Sequence, residues 1–226
     1  MIKIKELSKL FGNKEVLKNL SMEFSKGNVY GIVGENGAGK TTLFRCIAGL
    51  ESYNGEIISD VMQLKNHLGL LLTEPFFFTM MTGREYIRLL CNARGKTNVD
   101  IDSKNIFDLP LEQYASTYST GMKKKLAITA ILLQENEYFI LDEPFNGVDI
   151  QSNIILTEII LKLKELNKIV IISSHIFSTL SDTCDEIHLL RKGEQIKSVN
   201  KTGFKDLEQE MKEITIGNLI KNLELK

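Results

Sequence analysis

Gly34-Glu35-Asn36-Gly37-Ala38-Gly39-Lys40-Thr41 decides how this chain is read. The spacing Gly-x-x-x-x-Gly-Lys-Thr is that of a phosphate-binding loop. Glycines let the backbone wrap tightly, so that successive N–H groups face phosphate oxygens. The helix expected over Lys40 to Gly49 aims the positive end of its dipole at the same place. Lys40 is placed to reach the β- and γ-phosphates and the Thr41 hydroxyl to ligate Mg²⁺, with Thr42 closing the run. A short pattern can arise by chance in a Gly-rich turn, so its surroundings matter. Val29 to Val33 reads as a buried strand entering the loop, and Leu43, Phe44, Ile47 and Leu50 give an apolar face at helical spacing beyond it. Strand, loop and helix together predict binding of ATP or GTP with Mg²⁺.

Further along, Tyr138–Leu141 reads as an apolar strand that ends in Asp142 and Glu143. Carboxylates at a strand's C-terminal end sit at the crevice where α/β sheets bind phosphates. Asp142 can hold Mg²⁺ through water and Glu143 can polarise an attacking water; a surface Asp-Glu pair opening a turn at Pro144 is the plainer alternative. Ser119 and Gly121 open another strong helix, expected over Gly121 to Leu133. A hydroxyl and a backbone N–H at a helix start can form an anion site, although capping alone explains the pair.

Around these motifs, Ile2, Ile4 and Leu7, then Val16, Leu20, Met22 and Phe24, alternate like antiparallel strands. Short strands are expected at Gly55–Ile58, Leu68–Leu72 and Ile169–Ile172, and a hairpin at Glu186–Leu190 with Glu194–Val199. Helices are expected over Glu85–Ala93, over Ile154–Leu166 with Ile155, Ile159 and Leu163 inward, and over Thr202–Lys226. Residues 95 to 108 are polar and loop-like. The stretch 74–134 reads as a helical insert in an α/β core.

The 226 residues suit one sizeable domain, and 43% hydrophobic with 25% charged residues is ordinary for a soluble globular chain. A net charge of −1 gives no global electrostatic case for nucleic acid. Apolar runs are strand length, far short of the roughly 18–20 residues of a membrane span, and Met1–Lys5 lacks a signal-peptide core. The expectation is a cytosolic protein that meets a membrane only through a partner. Cys46, Cys91 and Cys184 have no metal-ligand spacing and read as buried small hydrophobes in a reducing compartment.

Taken jointly and in order, the loop at 34–41, Tyr118–Met122, Leu141-Asp142-Glu143-Pro144, Asn146-Gly147-Val148-Asp149 and His175 make the whole chain resemble the nucleotide-binding subunit of an ABC transporter. The resemblance implies an α/β fold: a RecA-like P-loop NTPase core (1–73 and 135–226) carrying an N-terminal antiparallel β part, with a helical signature subdomain at 74–134. It implies a head-to-tail pair, either two copies or one copy with a paralogous subunit, holding ATP and Mg²⁺ between them. Each ATP on one phosphate loop would be closed over by Ser119 and Gly121 of the other subunit. His175 would contact the γ-phosphate, Asp149 would couple the two sites, and Phe11, with Val16 packed alongside, would stack on adenine. Phe11 as ordinary core is the alternative. The implied activity is ATP hydrolysis powering a separate membrane permease from the inner face of the cell membrane, with no nucleic-acid partner.

The sequence departs from the family pattern. The signature is Ser-Thr-Gly-Met instead of Ser-Gly-Gly-Gln, a variant found in resembling bacterial exporters of antibiotics, peptides and lipids. Thr73 stands where a glutamine usually ligates Mg²⁺ and senses the membrane partner; Glu74 is the other substitute. The helical insert is short. Pro75-Phe76-Phe77-Phe78-Thr79-Met80-Met81 reads either as a lining of the groove that receives a permease helix or as subdomain core. Lys123-Lys124-Lys125 reads as the solvated face of the signature helix. A soluble ABC-type ATPase of repair, translation or iron–sulfur assembly is the alternative function. It lacks support from a long coiled-coil insert, a second ATPase unit or a basic charge balance. A nucleotide sensor without turnover fits poorly with Glu143 and His175.

Overall fold

A computed structural model describes residues 1–216. Two long strands, β1 (Ile2–Phe11) and β2 (Lys14–Phe24), pair antiparallel through a tight turn. Next come β3 (Asn28–Val33), the phosphate loop, α1 (Lys40–Ile47), β4 (Asn54–Ser59) and β5 (Leu68–Leu71). Then α2 (Gly83–Asn92) and α3 (Thr120–Leu133) pack against each other. The chain returns through β6 (Tyr138–Asp142), α4 (Ile150–Glu165), β7 (Ile169–Ser173), α5 (Phe177–Thr183), the hairpin β8 (Glu186–Arg191) and β9 (Glu194–Asn200), and α6 (Phe204–Ile216).

Two sheets result. β2-β1-β4 is antiparallel, and the six-stranded sheet runs β5-β6-β7-β3-β8-β9, parallel except at the β9 edge. Strands β6 and β7 are apolar up to their last residues, Asp142 and Ser173, because both faces are covered. Phe139, Leu141, Val170 and Ile172 face one core, built with α2, α3, α4 and α6. Tyr138, Ile140, Ile169 and Ile171 face the other, built with α1 and the antiparallel sheet. The register places Ser173 beside both Asp142 of β6 and Ile32 of β3. The carboxyl ends of β3, β6 and β7 therefore open side by side, the position at which such sheets bind ligands.

The expected elements form, with shifts that have local causes. α4 begins at Ile150 instead of Ile154, because Asp149 caps it: one carboxylate oxygen accepts the Ser152 N–H at 2.9 Å. Its buried stripe is Leu156, Ile160 and Leu163, flanked by half-buried Ile155 and Ile159. α2 begins at Gly83 behind a Thr82/Glu85 capping box. α5 has no counterpart in the expected elements; its seven residues are too few for a periodic signal. Residues 217–226 of the expected C-terminal helix lie outside the described residues. All three cysteines are free and buried.

Lys123–Lys125 corrects the expectation of a solvated face. Lys124 is 1% exposed. Helical spacing puts it on the same face as buried Ile128 and Ile131. Of Pro75–Met81, Phe77 and Met81 pack on the core, as the core reading expects, while Phe76, Phe78 and Met80 are exposed.

Gly193 joins the sheets at the site. Its N–H donates to the Ala38 carbonyl of the phosphate loop at 3.0 Å, and its carbonyl accepts from Lys18 of β2 at 2.8 Å. It has φ 82°, and an added Cβ would stand 2.3 Å from the Val16 carbonyl. Gly193→Ala is therefore expected to destabilise the protein by about 1–3 kcal/mol, read as a lower midpoint in thermal unfolding.

Candidate nucleotide site

The phosphate loop folds as its glycines require. Gly37 and Gly39 have φ of 82° and 109°, values that side chains with a Cβ adopt only with strain. At Gly39 a Cβ would also meet Leu17 Cδ2 at 2.7 Å. Gly39 is the N-cap of α1 and supplies no side-chain cap bond, which leaves the first-turn N–H groups facing the loop. Lys40 is buried and donates to the Gly34 carbonyl at 2.7 Å and to that of Glu35 at 3.2 Å. Burial pushes its ammonium below the ordinary lysine value, and nearby Glu143 and Asp142 pull it back up.

Asp142 is fully buried. Its Oδ2 accepts the Thr41 hydroxyl at 2.6 Å and the Thr73 hydroxyl at 2.8 Å, and its Oδ1 accepts the Ser173 hydroxyl at 2.6 Å. The alternative of an exposed pair opening a turn is excluded. The donor set is hydroxyl and carboxylate oxygen, the hard ligands that Mg²⁺ takes alongside phosphate and water. Thr41, Thr73 and Asp142 thus fit such an ion.

Glu143 follows with φ 51°, a left-handed conformation unusual for a residue with a Cβ. Its N–H donates to Ser173 Oγ at 2.9 Å. Its Oε2 lies 2.8 Å from His175 Nδ1, so the two polar groups read from sequence meet in space.

These residues line one open cleft of about 1120 Å³. Gly34, Glu35, Asn36, Gly37, Ala38, Gly39, Lys40, Thr41 and Thr42 form its floor, with Thr73, Asp142, Glu143 and His175 at one end and Phe11 and Val16 at the other. Phe11 is 46% exposed, which removes the core alternative. Lys9 Nζ sits 4.6 Å from the centre of its ring, a cation–π contact that helps fix the ring.

Ser119, Gly121 and Asp149 do not line this cleft. Ser119 caps α3, accepting from the Met122 N–H at 3.2 Å. Gly121 touches the segment after β6: a Cβ there would meet the Gly147 carbonyl at 2.6 Å. Asp149 pairs with Lys125 at 3.1 Å, and the Ser152 bonds, followed by Lys125, hold its carboxyl far below the usual range.

Several contributors escaped the sequence reading, Lys14, Glu15 and Lys18 of β2 among them. Ser173 ends an apolar strand and looks like any small terminal residue; only the β6–β7 register reveals its part. Lys192 from the β8–β9 turn and Met211 from α6 line the cleft from distant sequence, and no local pattern signals them.

Comparison with known proteins agrees with this geometry. The profile of the ABC transporter family matches residues 17–146. A lantibiotic transport ATP-binding protein of Streptococcus pyogenes is 31% identical, over 92% of this chain and 95% of its own. A bacitracin transport ATP-binding protein of Bacillus licheniformis is 31% identical, over 88% of this chain and 69% of its own. Among solved structures, an ATP-binding subunit of an ABC transporter has a TM-score of 0.80 at 24% identity, covering 93% of each chain. A dimeric ATP-binding cassette bound to ADP and phosphate has a TM-score of 0.81 at 19% identity, covering 89% of this chain and 99% of the other.

Ser173→Ala would leave the Glu143 N–H and Asp142 Oδ1 without their buried partner. A loss of about 1–3 kcal/mol is expected, measured by chemical denaturation.

Proposed function

The chain belongs to the ABC transporter family as an ATP-binding subunit, and from that premise we propose that it hydrolyses Mg²⁺-ATP in a head-to-tail pair to drive export through a separate membrane permease. The observation that carries the reading is the convergence of Thr41, Thr73 and Ser173 on buried Asp142, in the same cleft as Lys40 and Glu143. That is a phosphate cradle, a metal-binding carboxylate and a general base within one space.

Each residue has a separate task. The loop amides and Lys40 bind the phosphates, and Phe11 with Val16 takes the adenine. Thr41 and Asp142, with Thr73 beside them, would hold Mg²⁺, which when bound would neutralise phosphate charge. Glu143 accepts the proton of the attacking water, and His175, in contact with the same carboxylate, orients it and faces the γ-phosphate.

Ser119 and Gly121 stand outside the cleft of their own chain, which supports their use on a partner's ATP. Asp149, beside the same helix, is the contact that couples the two sites. The domain division follows the same logic: the segment 74–134 presents the signature helix, and 1–73 with 135–226 holds the nucleotide. Among the described residues no helix is long and apolar enough to cross a membrane; a separate permease is proposed from the likeness to relatives named as transport ATP-binding proteins. Exposed Phe76, Phe78 and Met80, just past Thr73, are its docking residues. The relatives named for bacitracin and lantibiotic transport support a cargo of the peptide-antibiotic class. The protein then works at the cytoplasmic face of the membrane, through the permease.

Lys40→Ala removes a charged donor from the phosphates and is expected to raise the ATP Kd about 100-fold, from about 2–3 kcal/mol of lost binding; calorimetry giving an unchanged Kd would contradict the assignment. Glu143→Gln keeps the geometry but not the base. It is expected to retain ATP binding, lower kcat about 100-fold or more, and shift toward dimer in ATP when followed by light scattering.

A further inference from the structure

Lys124 is a buried cation that the proposed reaction does not use. It lies on α3, five positions after Ser119, and is 1% exposed. Its Nζ donates to the Glu143 carbonyl at 2.7 Å and to the Asn146 carbonyl at 2.9 Å. Those carbonyls bracket the turn that carries the general base, a turn closed by an Asn146 N–H to Glu143 carbonyl bond of 3.2 Å.

The turn has reason to need holding. Glu143 is in the left-handed region at φ 51°, a conformation that costs about 1–3 kcal/mol and persists only where its surroundings impose it. Two groups impose it from different elements. Ser173 of β7 accepts the Glu143 N–H, and Lys124 of α3 binds the Glu143 carbonyl. Burying an ammonium is itself costly unless it is fully bonded. A neutral apolar residue would pack on this helix face without that cost, so the retained charge points to a task beyond packing. Neighbouring residues of α3 grip the same segment. Gly121 abuts the Gly147 carbonyl, and Lys125 binds Asp149 and Ser152.

We propose that Lys124 is a positioning residue for hydrolysis: by clamping the Glu143 and Asn146 carbonyls it holds the Glu143 carboxylate against His175 and makes the general base move as one body with the Ser119–Gly121 start of α3. The role rests on the proposed ATPase reading. It goes beyond that reading by linking each chain's helix start, which closes over the partner's nucleotide, to that chain's own base.

The test is a double-mutant cycle on the purified full-length protein with Mg²⁺-ATP. Lys124→Met keeps side-chain bulk and removes the donor. It is expected to lower kcat about 10-fold while the ATP KM and the Kd for a non-hydrolysable ATP analogue stay within twofold. In the Glu143→Gln background the same change is expected to lower the residual rate less than twofold, because the group it positions is gone. Equal losses in both backgrounds, or an unchanged kcat in the single variant, would overturn the role. If Lys124→Met does not fold, Lys124→Gln is judged by the same cycle, and failure of both to fold would show a purely structural residue and overturn it too. Absence of hydrolysis by the unsubstituted protein would instead overturn the ATPase reading, and this role with it.

Discussion

Asp142 is a carboxylate buried at the end of β6 and matched by three hydroxyls, one each from the start of α1, the segment after β5 and the end of β7. A buried charge without donors is costly enough to reshape its surroundings, so the position of each hydroxyl is constrained by this one group. The phosphate-loop helix, the Thr73 segment and β7 are thereby held in a fixed relation around one part of the cleft. Thr73 takes part as a donor to that carboxylate. A glutamine in its place would reach farther; the shorter threonine instead bonds directly to Asp142.

The part of the cleft lined by Phe11 and Val16 depends on a different kind of joint. β1 and β2 belong to the antiparallel sheet, whereas the phosphate loop grows from the parallel one. Gly193 bonds to both, at Ala38 and Lys18, and can do so only because no Cβ separates it from β2. Phe11, on the antiparallel sheet, is thus held relative to Lys40, whose helix follows the parallel one. The cleft combines two rigid parts, and its dimensions follow from backbone contacts between them.

Much of this was legible in the chain. Gly34–Thr41 implies its own loop because the conformation is local: glycines at φ 82° and 109° and a helix start are encoded within a few residues. The unbroken apolar runs at 138–141 and 169–172 announce strands covered on both faces. Asp142 and Glu143 were placed at a strand end by the same pattern. Lys124 was misread because three consecutive lysines look solvated, whereas a helix turns successive residues by about 100° and sends only some of them outward. Ser173 carried no signal at all, since a serine that bonds a buried carboxylate looks like any serine until its neighbour strand is known.

The sequence by itself determined the nucleotide loop, the alternation of strands and helices, the acidic end of β6 and the order of motifs that marks the family, because each resides in a short stretch whose backbone and charge speak for themselves. Only the tertiary structure decided which residues meet: Thr41, Thr73 and Ser173 on Asp142, His175 on Glu143, and Lys124 beneath the turn between them. Those meetings depend on strand order and register, which bring together residues up to about a hundred positions apart, and the chain carries no local record of distance in space.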